Sequence, residues 1–168
     1  MNPLIILTAV TGPGDGGRPG TALRPIQAAD VPELSEMYRD SYADSLPQPP
    51  DRAAGWIDTL LAGARGRHVP EASAVKAAPD GQLAAAIIVT EPAPGVKGDW
   101  DSVIAELFTH PDHRRQGLAE ELLGHCLHVL HTLGRQRVAV TVDSGNSAAL
   151  ALYLSRDFRR LSEDDDGD

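Results

Sequence analysis

The chain has 168 residues, long enough for one well-packed domain and too short for two of ordinary size. Its 15 Lys and Arg stand against 24 Asp and Glu, a net charge of -9 that disfavours a nucleic-acid partner and leans toward a cationic one. The single cysteine, Cys126, excludes an intramolecular disulfide. No apolar run approaches the length of a membrane span, so a soluble, cytoplasmic protein with no membrane partner is expected.

The run Leu4–Val10 is apolar, but it lacks the positive leader and the small-residue cleavage site of a secretory signal. Residues 11–20, TGPGDGGRPG, read as a Gly/Pro-rich connection, which separates an N-terminal segment (1–20) from the main domain (21–161). Residues 21–27 alternate like a short strand. A helix is predicted over 30–42, capped by Asp30, with Val31, Leu34, Met37 and Tyr38 inward. A second helix over 52–64 turns Trp56, Leu60 and Leu61 inward. Pro79, Asp80 and Gly81 form a turn between strands at 72–78 and 82–90.

Residues 101–109 read as a further strand, followed by a helix over 115–132 with Leu118, Leu122, Leu123, Cys126 and Leu130 at helical spacing. Residues 137–142 are a β-branched strand. Asn146 then opens a short helix burying Leu150 and Leu152 to Leu154, and residues 158–161 form a last strand. Residues 162–168 are an acidic tail. Helices on a mixed sheet with one strand-helix-strand crossover make an α/β or α+β sandwich. Arg outnumbers Lys, and Ala, Gly and Pro are frequent, which hints at a GC-rich bacterial source.

The stretch HPDHRRQGLA, residues 110–119, joins a strand to a helix. A helix start leaves backbone N–H groups unsatisfied and carries about half a positive charge, so an anion can sit there. Gly117 and Ala119 let a ligand approach the backbone closely, and Arg114 and Arg115 add charge-assisted donors. The plainer reading, an Arg-rich turn that only starts a helix, fits these ten residues equally well.

Taken with AELFT before it and NSAALALYLSRDF after it, the stretch resembles the GNAT superfamily of acyl-CoA-dependent N-acyltransferases. The resemblance covers residues 21–158. Leu107, Thr109, Pro111, Arg114, Gly117 and Ala119 match the strand-to-helix signature, with Thr109 in place of Val. Asn146, Ala149, Leu152, Tyr153 and Phe158 match a second signature, with Asp157 where Gly is usual. Asp tolerates a left-handed helix end, so this departure is mild.

The resemblance implies a mixed, mostly antiparallel sheet flanked by helices on both faces, and transfer of an acetyl group from acetyl-CoA to an amine, small-molecule or peptide, without a metal. It implies that backbone N–H groups of Arg115, Gln116, Gly117, Leu118, Ala119 and Glu120, with Arg114 nearby, hold the CoA pyrophosphate. Leu107, Phe108 and Thr109 would pair with the pantetheine arm and Asn146 would contact it, although Asn is also an ordinary helix cap. Tyr153 stands where the family places the acid for the CoA sulfur, and a phenol suits that role. A buried helix aromatic is the plainer reading.

Attack on a thioester requires a neutral amine, and an amine of lysine type (pKa near 10.4) costs about 4.6 kcal/mol to hold neutral at pH 7. Glu106 is the candidate base, against the alternative of a solvated carboxylate. Some family members place a Glu five residues before the Asn, where this chain has Thr141, which cannot act as a base alone. Asp101, Asp143 or a water chain remain open. A non-catalytic acyl-CoA-binding domain is the alternative function.

His125, His128 and His131 drift around their helix without completing a metal set. The chain also ends before the family's usual last strand. Leu4–Val10 is expected to replace it, in the same molecule or swapped within a homodimer, since the ten linking residues reach up to about 33 Å.

Overall fold

The computed structural model describes residues 3–12, 23–42, 55–96 and 98–161. Leu4–Val10 forms strand β1, and Leu23–Arg24 forms β2. Val31–Ser41 is helix α1 and Trp56–Leu61 is α2. Strands β3 (Ala74–Ala77), β4 (Leu83–Thr90) and β5 (Ser102–Thr109) follow. Leu118–Thr132 is α3, Arg137–Asp143 β6, Ser147–Ser155 α4 and Arg159–Arg160 β7.

The seven strands lie in the order β2-β3-β4-β5-β6-β1-β7. Every neighbouring pair is antiparallel except β5 and β6, which α3 joins by a crossover. The mixed, mostly antiparallel sheet with helices on both faces is therefore the expected α/β architecture.

Strand β4 is buried along its whole length, as its unbroken LAAAIIVT run requires of a strand covered on both sides. On one face α3 turns Leu118, Leu122, Leu123, Cys126 and Leu130 onto Ile87, Val89, Ile104, Val138 and Val140. Helix α4 joins this layer through Tyr153. On the other face α1 and α2 set Leu34, Met37, Tyr38, Ile57 and Leu60 against Val75, Ala86, Ile88 and Phe108.

Strand β1 pairs with β6 over all seven residues, from Leu4 opposite Asp143 to Val10 opposite Arg137. It also pairs with β7 at Leu7 and Thr8. Leu7 and Ala9 enter the α3 core, whereas Leu4 and Val10, on the opposite face, are 69% and 71% exposed.

Several local expectations change. The strand over 21–27 is only Leu23–Arg24 among the described residues. There the Asp30 carboxylate accepts two bonds from the Arg24 guanidinium at 2.8 Å and one from the Gln27 N–H at 2.7 Å, bending the chain into α1. In α2 it is Ile57 and Leu60 that are buried. Residues 52–54 lie outside the described set, and Trp56 is only partly buried because its indole turns to a polar partner. In α4 Tyr153 is buried, while Leu154 is 47% exposed and Leu150 and Leu152 are half-buried. A nine-residue helix on a sheet has one inward stripe, and consecutive residues cannot share it.

Candidate active site

Strands β5 and β6 pair at only three positions, Ser102 with Val138, Val103 with Ala139 and Ile104 with Val140. Beyond them the ladder stops, although β5 runs on to Thr109 and β6 to Asp143. The cause lies on the other side of β5, where its register with β4 slips so that Ile88 faces Glu106 and Val89 faces Ile104, leaving Ala105 as a bulge. A bulge bends its strand and sharpens the local twist, here at the point of divergence.

The gap between the two strands opens into a cleft of about 560 Å³. Leu107, Phe108 and Thr109 line it from β5, and Asn146 and Ala148 from the β6–α4 side. The turn after β5 contributes His113, Arg114, Arg115 and Gly117, the start of α3 Leu118, Ala119 and Glu120, and the end of α1 Ser41 and Tyr42. Gln116 is absent from this lining, and so are Glu106 and Tyr153.

The turn owes its shape to backbone conformation. His110 caps a single 3-10 turn over Pro111–His113, accepting from the Asp112 N–H at 3.0 Å. Arg114 is then extended, and Arg115 (φ 65°) and Gly117 (φ 75°) are left-handed. Helix α3 starts at Leu118 rather than 115 because those two residues cannot be helical. The first N–H groups of α3 lack intrahelical acceptors and face the cleft, an arrangement suited to anions.

A Cβ on Gly117 would meet no atom within 4 Å, so conformation rather than space demands glycine there. Gly117→Val should force a β-branched residue out of the left-handed region, shift the helix start and weaken the binding of an anionic ligand at the turn by about tenfold or more, since the strain is roughly 1–2 kcal/mol. Isothermal titration of both proteins measures it. Asp157 is also left-handed (φ 68°) at the end of α4, in keeping with the tolerance of Asp for that conformation.

Glu106 lies on the α1–α2 face of β5, with Ile88 as its cross-strand neighbour. Its Oε1 accepts from the Trp56 indole N–H at 3.0 Å and its Oε2 from the Tyr42 hydroxyl at 3.2 Å. Burial pushes the carboxyl up to about 7, against the lowering effect of donors on Trp56, Tyr42 and Tyr38. A group poised near neutrality can accept a proton at physiological pH, as a general base must.

Tyr153 is buried, edge-on to Phe158 with ring centroids 5.1 Å apart. Burial, then Cys126 and Glu106, raise its pKa, so it stays protonated and close enough to Glu106 to feel its charge. Asn146 caps α4, its Oδ1 accepting from the Ala149 N–H at 3.1 Å, and it lines the cleft as well.

The other carboxylates considered as bases bond to backbone and do not line the cleft. Asp101 accepts from the Gln136 and Arg137 N–H groups at 2.9 and 3.2 Å, and Asp143 from Gly145 at 2.8 Å. Thr141 stands opposite Ile6 on an exposed face of β6. Burial pushes the Cys126 thiol up to about 12, which makes it inert. Among the described residues no three His, Cys, Asp or Glu side chains gather as a metal site, and no helix is long and apolar enough to cross a membrane.

Sequence reasoning placed Tyr38 and Trp56 in the core and gave Tyr42 no role. A usable signal was the scarcity of aromatics, two Trp, three Tyr and two Phe in the whole chain, with Tyr38 and Tyr42 one helical turn apart.

Comparison with known proteins agrees with this fold. The model of the acetyltransferase (GNAT) family matches residues 31–158. A GCN5-related N-acetyltransferase from Sphaerobacter thermophilus superposes with a TM-score of 0.70 at 16% identity, over 94% of this chain and 48% of that one. A GNAT-family protein from Novosphingobium aromaticivorans gives 0.61 at 21% identity, over 95% and 61%. A GNAT acetyltransferase from Brucella melitensis in complex with acetyl-CoA gives 0.61 at 16% identity, over 84% and 86%. The chain thus spans about half the length of the first of these structures and 61% of the second. No curated protein sequence matches it.

Proposed function

We propose that this chain, which belongs to the acetyltransferase (GNAT) family, transfers an acetyl group from acetyl-CoA to a primary amine by direct attack in a ternary complex. The observation that carries the reading is the cleft between β5 and β6, closed at one end by the start of α3 and flanked by a carboxylate poised near neutrality.

In this account the N–H groups of residues 115–120, with Arg114, hold the pyrophosphate. The β5 edge left unpaired beyond Ile104 offers Leu107, Phe108 and Thr109 to the amide groups of the pantetheine arm, much as a strand adds to a sheet. Asn146 can donate to that arm while its Oδ1 caps α4. Glu106 takes a proton from the attacking amine, which forms the new C–N bond as the C–S bond breaks. Tyr153 then gives a proton to the departing thiolate. The acceptor is a small-molecule or peptide amine, and a cytoplasmic location belongs to the same proposal.

The reading is tested by thermal shift. CoA and acetyl-CoA should raise Tm, whereas ATP and NAD should not, because the turn carries one Gly and lacks the patterns of nucleotide loops. Stabilisation by ATP or NAD instead of CoA would assign the cleft to another cofactor. Tyr153→Phe should reduce kcat by about tenfold to a hundredfold with KM for acetyl-CoA little changed, the signature of a lost proton donor.

A further inference from the structure

Helices α1 and α2 approach the β5 carboxylate from the face away from α3, and between them they occupy both its oxygens. Tyr42 differs from Trp56 in one respect, since it also lines the cleft. Its neighbour Ser41 lines the cleft too, and the Ser41 carbonyl accepts from Arg114 Nη2 at 2.8 Å. The end of α1 is therefore tied at once to the anion-binding turn and to Glu106, with the Tyr42 ring between cleft and carboxylate. Tyr38, one turn earlier, packs on Tyr42 at 4.9 Å between centroids and on Phe108 at 5.5 Å, which limits the freedom of the Tyr42 ring.

We propose that Tyr42 is a positioning residue for Glu106, holding the carboxylate from the cleft side while Trp56 holds it from α2, so that the end of α1 links the donor site to the base. The inference rests on the reading of Glu106 as the base. A carboxylate has about four lone-pair positions, so the donors on Trp56, Tyr42 and Tyr38 fix its plane and leave one lone pair to accept a proton. Fixing matters because proton transfer needs the acceptor oxygen within hydrogen-bond reach of the amine. These donors favour the charged carboxylate, so removing one raises the pH at which it ionises. Tyr38 and Tyr42 face Glu106 from α1, while α2 contributes Trp56 and β4 the apolar Ile88; Tyr153, on the α3 side of the sheet, is within electrostatic reach.

The test is a carboxylate NMR titration of protein labelled with ¹³C at glutamate, the Glu106 signal being identified by its loss in Glu106→Gln. It requires no acceptor. Tyr42→Phe should move the Glu106 midpoint upward by about one pH unit, a tenfold change in the ionisation constant. Trp56→Phe should move it in the same direction. In turnover, the rate of Tyr42→Phe at pH 7 should fall about fivefold and recover toward pH 9 as the carboxylate ionises. A filler of space alone would leave the midpoint in place, and an unmoved midpoint in Tyr42→Phe would overturn the inference. If the midpoint moves while Glu106→Gln keeps wild-type turnover, the positioning stands and the assignment of the base fails.

Discussion

Replacing Glu106 with Gln is expected to lower kcat by about 10²–10⁴-fold, the usual contribution of a general base, while acetyl-CoA affinity stays near wild type. The separation follows from geometry. Glu106 lies on the α1–α2 face of β5 and does not line the cleft, whereas the anion-binding turn and the unpaired β5 edge do. Gln keeps the shape and one oxygen acceptor for the donors around it, so the packing of Tyr42 and Trp56 survives.

The pH profile supplies the sign. The carboxyl is pushed up to about 7, and only its ionised form accepts a proton. Activity should therefore rise with pH through about 7 in the wild type, and this acid limb should vanish in Glu106→Gln. A variant that kept both its rate and its acid limb would remove Glu106 from the mechanism.

Deleting residues 1–18 should be the most damaging change to stability. Strand β1 stands between β6 and β7, makes seven cross-strand pairs with β6 and two with β7, and sends Leu7 and Ala9 into the core with Ile5 packed beside them. Burial of these side chains is worth roughly 3–6 kcal/mol, a large part of the 5–15 kcal/mol of a typical domain. At this chain length that corresponds to a fall in Tm of about 10–20 °C. We propose that β1 completes the sheet between β6 and β7. Light scattering on the intact chain separates the two ways of doing so, a monomer if the strand folds back and a dimer if it is exchanged. Unchanged Tm and unchanged oligomeric state after deletion would contradict the proposal.

Much of this was legible because local pattern and tertiary role coincided. The period of Leu118, Leu122, Leu123, Cys126 and Leu130 is that of a helix with one buried stripe, and these five residues are the buried ones of α3. The alternation of residues 101–109 failed to announce the bulge at Ala105, which shows only in the register with β4. Strand β1 was recognisable as a strand, yet its neighbours β6 and β7 lie more than 120 residues away in sequence, and no periodicity encodes that pairing.

The environment of Glu106 was hidden for the same reason. Its donors Trp56 and Tyr42 stand 50 and 64 residues before it, on helices whose apolar faces explained those aromatics without any polar partner. Asp101 and Asp143 were open as bases from sequence because their bonds go to backbone N–H groups, which carry no residue-type signal.

The most direct measurement is free-thiol release from acetyl-CoA by the wild-type protein across a panel of primary amines, with mass spectrometry of the amine products. The account predicts at least one amine that yields thiol and N-acetylated product in equal amounts, with the rate lowered by about a hundredfold or more in Glu106→Gln. Stabilisation by CoA with no turnover on any amine would contradict it and leave a protein that binds acyl-CoA without transferring the acyl group.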